Sequence, residues 1–257
     1  MTPREQYVAF TTIMVKEFMR FMRIWVQTVL PPMITMGLYF VIFGNLIGSQ
    51  LAPIDGFVYV DYIVPGIILM AMINNSYANV VSSFFSAKFQ RHIEEMMVSP
   101  MPNYLILMGF VGGGLARGVI VGGSVTIVAT FFTDLQFHNP FIVIVVALLT
   151  SILFSLAGFI NAMYARSFDD ISIIPTFVLT PLTYLGGIFY SVEMLPDFWR
   201  SISYVNPIMY MINAMRYGML GVSDINVTIA LSIIVGFVVI LYSYCIYLLR
   251  RGVGIRS

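Results

Sequence analysis

Long apolar segments, separated by short polar connections, dominate the hydropathy pattern of this chain. A helix that crosses the hydrocarbon of a bilayer needs about 20 mainly apolar residues. Six segments reach that length, at residues 24–48, 57–86, 109–132, 141–164, 171–190 and 225–249. The pattern therefore predicts an all-α, polytopic membrane protein whose single domain, residues 1–257, contains six transmembrane helices.

A seventh apolar region, residues 192–220, is interrupted by polar and helix-ending residues. These are Pro196, Asp197, Arg200, Pro207 and Arg216. Irregular backbone is not tolerated where it faces lipid, so this region must pack against other helices or line a cavity. We expect two short helices that enter the membrane from the extracytoplasmic side, as a re-entrant hairpin before the last span.

The N-terminal segment, residues 2–23, has polar residues at helical spacing, with phenylalanine and methionine on the remaining surface. The polar set is Glu5, Thr12, Lys16, Arg20 and Arg23. This pattern predicts an amphipathic helix that lies in the plane of the membrane interface, with its polar side towards water. Both a simple anchor and a connecting helix that transmits motion into the first span fit the pattern.

The distribution of lysine and arginine predicts the orientation, because cytoplasmic connections carry an excess of both. Connections 49–56 and 133–140 contain neither residue, whereas basic residues mark both termini and the second and fourth connections. The basic set is Arg4, Lys16, Arg20, Arg23, Lys88, Arg91, Arg166, Arg250, Arg251 and Arg256. We therefore expect both termini to be cytoplasmic, although Arg200 and Arg216 in the fifth connection depart from the pattern.

The composition agrees with a membrane protein and excludes several other classes. Of the 257 residues, 59% are hydrophobic and 10% are charged, with a mean hydropathy of +0.91. A soluble domain has about 25% charged residues. The formal net charge is +1 and basic residues are scattered at span ends, so no nucleic acid partner is expected. A single cysteine, Cys245, and two distant histidines predict neither a disulfide framework nor a metal site.

The glycines of the third span predict close helix packing rather than phosphate binding. In GFVGGGLARGVIVGG, Gly109, Gly113, Gly118 and Gly122 recur about every four residues. On a membrane helix such a series forms a smooth face that another backbone can approach closely. The run lacks the spacing of a nucleotide-binding loop, and neither of the two lysines of the chain follows such a loop. The sequence also shows no pairing of a catalytic nucleophile with a base, so we do not expect this chain to be an enzyme.

Arg117 is the one charged residue deep within a predicted span, about eight residues or 12 Å from its start. Intramembrane charges usually have partners. Its side chain can extend to the interface, pair with Glu94, Glu95 or Asp170, or contact an anion. The pattern favours a structural pair.

Uncharged polar residues also lie deep in the second and fifth spans. They are Asn74, Asn75, Tyr77, Thr180, Thr183 and Tyr184. Hydrogen bonds between helices and the lining of a pathway for an amphiphilic substrate are equally good interpretations of this set. No carboxylate lies near the midpoint of the six spans, whereas proton-driven carriers generally place one along their pathway. An active transporter with this sequence would need an outside source of energy.

Prolines and glycines interrupt the fifth span. Pro175 and Pro181 each remove a helix hydrogen bond, and Gly186 and Gly187 weaken its outer end. Two interpretations of these interruptions remain: a gate beside the hairpin, and an irregularity of helix packing without a gating role.

The second connection, residues 87–102, contains the polar stretch FQRHIEEMMVSPMP. Its charges stand beside Met96, Met97 and Val98, which a solvated loop has little reason to expose. The stretch ends at Pro100 and Pro102, and it resembles a short cytoplasmic docking helix more than a plain loop.

The runs SFDDISIIPTFVLTPLTYLGGIFYS, LPDFW, NPIMY and RYG, together with RHIEEMMVSP, resemble the membrane subunits of type-2 ATP-binding-cassette (ABC) exporters. The resemblance covers nearly the whole chain. It is greatest for the small bacterial inner-membrane permeases that pair with a separate ATPase.

The resemblance implies a dimer of permeases in the bacterial inner membrane, bound to two ATPase subunits that hold ATP and Mg²⁺. It also implies that the second connection is a coupling segment that docks on the ATPase. The coupling residues carried over are Arg91, Glu94, Glu95, Met96, Met97, Val98 and Pro100, with Pro100 ending the helix. The alternatives are a secondary carrier or channel that works without ATP and a membrane scaffold.

Overall fold

A computed structural model describes residues 1–254, apart from the side chains of Asn45 and Ser49, and consists mainly of helices joined by short loops. Arg256 lies outside the described residues. The helices are α1 (Pro3–Met22), α2 (Trp25–Tyr39), α3 (Tyr59–Phe89), α4 (His92–Val98), α5 (Asn103–Ala129), α6 (Pro140–Tyr164), α7 (Asp170–Ile174), α8 (Thr180–Leu185), α9 (Asp197–Val205), α10 (Pro207–Leu220) and α11 (Val227–Arg251). Within residues 1–254 the only extended pairing is one bridge between Ile54 and Phe57, so the predicted all-α class is confirmed.

Five helices in the described part of the chain are long and apolar enough to cross a membrane. They are Trp25–Gly44, Tyr59–Phe89, Asn103–Ala129, Pro140–Tyr164 and Val227–Arg251. They agree with five of the six predicted spans. The chain is therefore a polytopic membrane protein.

The predicted fifth span is shorter than its sequence pattern indicates. It forms the apolar segment Asp170–Leu185, in which π-helical turns at Pro175–Leu179 join α7 to α8. Such a segment is about 24 Å long, below the roughly 30 Å of the hydrocarbon core. The segment ends before residue 190 because Gly187 has a left-handed φ of +82°, which stops an α-helix.

This short segment nevertheless runs from one end of the helix bundle to the other. Asp170 accepts hydrogen bonds from the loop that leaves α6, at the end of the bundle that carries α4. The Gly187 carbonyl accepts one from Arg216 at the opposite end. That it crosses the bilayer as a sixth span stays a prediction.

Helix α3 occupies the centre of the bundle, between α5 and α6. It is antiparallel to α5, since Gly122 of α5 faces Met72, and Gly118 faces Ser76. On the other side, a Cβ atom added to Gly158 of α6 would lie 2.6 Å from the Tyr77 carbonyl oxygen. Small residues on both neighbours therefore let three helices approach closely, as membrane helices require when no water drives their association.

The predicted glycine series of α5 divides between two faces. Gly118 and Gly122 contact α3, and Gly118 also contacts Ser151 of α6. Gly109 and Gly113 instead contact Ile13 and Glu17 of α1. The spacing of the glycines predicts close contacts, but it does not predict that three different helices, α1, α3 and α6, make them.

Helix α1 packs along α5 and buries a charged residue. Ile13, Glu17 and Phe21, four residues apart, form its buried stripe, and Glu17 is only 1% exposed. The Tyr104 hydroxyl donates to Gln6 Oε1 at 2.7 Å, so α1 and α5 run side by side in the same direction. The orientation of α1 in the interface plane stays a prediction. The sequence pattern indicates a purely apolar packed side, whereas the buried stripe of α1 includes Glu17.

The region predicted as a hairpin forms a 3₁₀ turn followed by α9 and α10. Asn206 separates the two helices: its Oδ1 accepts from Ile208 N–H at 3.0 Å, and its Nδ2 donates to the Leu182 carbonyl at 2.6 Å. Helix α10 is largely buried, whereas α9 exposes Phe198 and Trp199. That these two helices enter the membrane as a re-entrant hairpin stays a prediction.

The contact between α1 and α5 gives a matched pair of glycine substitutions. A Cβ added at Gly113 would lie 2.6 Å from Glu17 Cβ, whereas one added at Gly123 would meet nothing within 4 Å. We expect Gly113→Ala to lower the unfolding free energy in detergent by about 1–3 kcal/mol through overpacking. Gly123→Ala should be neutral or slightly stabilising, because alanine is the better helix former.

Thermal unfolding of the two purified variants measures this difference. If Gly113→Ala and Gly123→Ala unfold at the same temperature, the close contact between α1 and α5 is incorrect.

Candidate coupling segment and intramembrane polar sites

Helix α4 is a short helix set off by two breaks in the backbone. Arg91 precedes it with a left-handed φ of 63°, which turns the chain away from α3. Ser99 after it is extended, as the residue before Pro100 must be, and its hydroxyl donates to the Met96 carbonyl at 2.6 Å. The helix thus ends at Val98, immediately before Ser99 and Pro100.

One side of α4 is anchored and the other is exposed. Ile93 is fully buried, and Met96 and Met97 pack partly against the core. The remaining predicted coupling residues, Arg91, Glu94, Glu95, Val98 and Pro100, are exposed. Val98 is 87% exposed. Val98 is therefore free to contact another protein, although a single exposed apolar side chain is common on protein surfaces and does not by itself indicate such a contact.

Lys88, in the last turn of α3, attaches this region to α6. Its ammonium group donates to the carbonyl oxygens of Ala162, Met163 and Ala165 at 3.3, 2.7 and 2.7 Å. These carbonyls lie at the end of α6, where helix carbonyls lack helical partners. Sequence reasoning used Lys88 only for orientation, because nothing near it in the chain indicates partners more than 70 residues away.

Arg117 does not pair with any of the carboxylates considered for it. Its Nη2 donates to Asn75 Oδ1 at 3.1 Å. Glu94 and Glu95 are exposed on α4, and Asp170 accepts from backbone N–H groups of its own loop. Helix α5 begins at Asn103, so Arg117 lies about 21 Å along it, too far from α4 for an ion pair.

A second polar cluster links α1 to the same side of α3. The Glu17 carboxylate accepts from Ser83 Oγ at 2.6 Å and from Arg20 Nε at 3.4 Å. Arg20 Nη2 donates to Asn79 Oδ1 at 2.8 Å. Asn75, Asn79 and Ser83 lie at four-residue spacing, so together they form a polar ladder on one face of α3.

This polar ladder is incompletely paired. Glu17 Oε1, Asn79 Nδ2 and Arg117 Nε are buried and have no hydrogen-bond partner among the described residues. Glu17 is not among the residues that the sequence pattern singles out. Its position among the apolar residues of an amphipathic helix is the signal that could have indicated a buried carboxylate.

The six candidate pathway residues do not share one cavity. Asn74 and Tyr77 line a cleft of about 410 Å³ between α3 and the segment Asp170–Leu185. Asn75 faces Arg117 instead. Thr183 is buried and donates to the Leu179 carbonyl at 2.6 Å.

Thr180 and Tyr184 lie on an exposed side of the segment Asp170–Leu185. The Tyr184 hydroxyl is 3.4 Å from that of Tyr39 on α2, and Phe43 stacks on Phe189 with ring centroids 4.7 Å apart. An aromatic cluster therefore joins α2 to the outer end of the segment.

A buried arginine organises the opposite end of the bundle. Arg216 of α10 is 1% exposed, and its guanidinium carbon lies 3.9 Å from the ring centroid of Tyr62 on α3. Its Nη2 donates to the Gly187 carbonyl at 2.8 Å, and its Nη1 is 3.8 Å from Asp224 Oδ2. From the sequence, Arg216 is identified as an interruption of the hairpin and as a departure from the orientation pattern, but not as the centre of a buried cluster.

The two arginines that depart from the orientation pattern both have acidic neighbours. Arg216 is paired with Asp224, and Arg200 Nη1 lies 3.6 Å from Asp197 Oδ1. Their charges are thereby at least partly neutralised where they lie. Within residues 1–254, no three His, Cys, Asp or Glu side chains are grouped so as to hold a metal ion.

Comparison with known proteins agrees with these features. The family model described as ABC-2 type transporter matches residues 8–220. The chain is 55% identical over 251 residues to the "Inner membrane transport permease YadH" of Escherichia coli strain K12, covering 98% of each chain. It is 24% identical over 209 residues to "Nodulation protein J" of Rhizobium leguminosarum bv. viciae, covering 81% of each. The chain thus belongs to the ABC-2 type transporter family and is a multi-pass transport permease of the inner-membrane type.

Proposed function

We propose that this permease is the membrane subunit of an ATP-driven exporter, and that a separate ATPase subunit docks on α4. The observation that carries the proposal is the structure of α4 itself. Its outer surface exposes two carboxylates and Val98, whereas Ile93 and the nearby Lys88 attach it firmly to the bundle. ATP and Mg²⁺ belong to the partner in this proposal.

Attachment of α4 explains how force on it would reach the membrane. Lys88 joins the end of α3 to the end of α6. Helix α3, which is 31 residues long, extends from there to Tyr62 at the far end, where the Tyr62 ring contacts Arg216. Helix α1 is held to α3 through Glu17 and Ser83. A displacement of α4 would therefore move α1, α3 and α6 together rather than bend a loop.

We propose that the permease forms a dimer on which two ATPase subunits dock, one on each copy. The second copy would cover the exposed sides of α2 and of the segment Asp170–Leu185. Thr180 and Tyr184 lie on this surface, beside the aromatic cluster of Tyr39 and Phe189. The π-helical turns at Pro175–Leu179 interrupt the regular α-helical hydrogen bonding of this segment, and such turns are frequent at functional sites. We propose that an amphiphilic substrate passes between the two copies, with both termini of each copy in the cytoplasm.

One observation favours a second candidate function, a carrier driven by protons without an ATPase. Glu17 is a buried carboxylate, and its Oε1 has no partner among the described residues. Buried carboxylates of this kind serve proton relays in membrane transporters. However, Glu17 lies on α1, outside the long spans, and Arg20 is beside it.

Reversing the charge of Glu94 tests the docking proposal. In proteoliposomes that contain the permease and its ATPase, we expect Glu94→Arg to insert normally but to reduce transport-linked ATP hydrolysis to the level of the ATPase alone. Glu193→Arg, the same change at an exposed site on the opposite end of the bundle, is the matched control and should leave hydrolysis unchanged. Normal coupled hydrolysis by Glu94→Arg would count decisively against docking on α4.

Proteoliposomes that contain the permease alone separate the two candidate functions. We expect no solute movement when a pH gradient is imposed without the ATPase. Movement that stops in Glu17→Gln, an isosteric change that removes the titratable group, would establish the proton-driven carrier instead.

A further inference from the structure

A large cleft opens beside α4. It shares Arg91 and Glu94 with the predicted coupling segment and Lys88 with the attachment of α4, but the function proposed above assigns no ligand to it. Its volume is about 680 Å³, and it lies between the last turns of α3, the end of α6 and the turn at Val253 and Gly254. Phe85, Phe89 and Tyr164 form apolar walls. The cleft is thus partly aromatic and open at one end of the bundle.

The side chains that line the cleft carry an excess of positive charge. Lys88, Arg91 and Arg166 line it, against the single carboxylate of Glu94. The Lys88 ammonium is already bonded to three carbonyl oxygens of α6 and its loop. The two guanidinium groups are different, because neither Arg91 nor Arg166 forms an ion pair with another residue in the described part of the chain.

The carboxylate of Asp170 does not neutralise these arginines through an ion pair. Asp170 Oδ2 accepts from the backbone N–H groups of Arg166 and Ser167, at 2.8 and 3.1 Å, and so points into its own loop. The carboxylate of Glu94 cannot balance the three positive charges of Lys88, Arg91 and Arg166, and like charges that face one cleft repel each other. The cleft therefore suits a negatively charged group from outside the chain.

Exposed aromatic residues around the cleft indicate that it opens at the level of the lipid headgroups. The Tyr164 and Tyr244 hydroxyls are 2.5 Å apart, and the Arg251 guanidinium lies 4.9 Å from the Tyr247 ring centroid. Phe89 is 66% exposed beside them. Tyrosines at such positions are typical of the boundary between hydrocarbon and water, where a lipid would reach the cleft from the side.

We propose that this cleft binds the phosphate of an anionic phospholipid headgroup. The planar guanidinium of arginine matches phosphate oxygens in pairs, and basic pockets between transmembrane helices bind acidic headgroups. The glycerol backbone would lie against Phe85 and Phe89. The site adjoins Arg91 at the start of α4, so an occupied cleft would brace the junction between α3 and α4.

Native mass spectrometry with phosphatidylglycerol and phosphatidylcholine tests this proposal, because it counts the lipids retained by the permease. Wild type should retain phosphatidylglycerol in preference to phosphatidylcholine. Arg166→Gln should weaken that retention about fivefold, the effect of one basic residue near a membrane surface. Arg250→Gln removes an exposed arginine outside the cleft and should retain lipid as wild type does.

Three outcomes would overturn the proposal. If wild type and Arg166→Gln retain phosphatidylglycerol equally, the cleft is not the site. If Arg166→Gln lowers the retention of phosphatidylcholine as much as that of phosphatidylglycerol, the site does not recognise the net charge of the lipid. Release of phosphatidylglycerol by millimolar inorganic phosphate assigns the cleft to a soluble phosphate compound. The permease can be tested without any ATPase, so failure of the coupling proposal leaves this result intact.

Discussion

Close contact between the backbone of α3 and its two neighbours is the constraint on which the rest of the structure depends. A Cβ atom added at Gly122 of α5 would lie 2.5 Å from Met72 Cγ of α3, and one added at Gly158 of α6 would lie 2.6 Å from the Tyr77 carbonyl oxygen. The central helix is therefore held along much of its length. Its two ends then become fixed points: Lys88 bonds to α6 at one end, and Tyr62 lies under Arg216 at the other.

The charged residues within the bundle follow a second constraint, the cost of an unpaired charge in hydrocarbon. Arg117 donates a hydrogen bond to the side-chain amide oxygen of Asn75, and Arg20 donates one to that of Asn79, so each arginine has a polar partner. Amides serve here because Asn75 and Asn79 lie at the right depth on α3, whereas Glu94, Glu95 and Asp170 lie at or near the α4 end of the bundle. The buried Glu17 and the partly exposed Arg20 attach α1 to α3 as a result.

The sequence predicts much of this fold, since long apolar segments and the prolines after Val98 act locally. The all-α class, five of the spans and the end of α4 all follow from such patterns. The family could also be identified, because its motifs extend over nearly the whole chain. The shortening of the fifth span depends on the φ of Gly187, which a glycine permits but does not require.

The sites depend on contacts between distant residues, and there the sequence is less informative. Lys88 and its carbonyl partners are separated by 74 to 77 positions, so no local pattern joins them. The glycine series of α5 predicts close approach but not its partners. Arg91 and Arg166 meet in one cleft only through packing of α3 against α6. Each of these features required the tertiary structure.

The central claim is that the exposed surface of α4 contacts an ATPase, and photo-crosslinking at Val98 tests it most directly. A photoreactive amino acid at Val98, which is 87% exposed, should crosslink to a co-expressed subunit that carries a nucleotide-binding loop. The same amino acid at Phe131, which is 80% exposed after α5 at the opposite end, should not. A crosslink from Phe131 but none from Val98 would contradict the account.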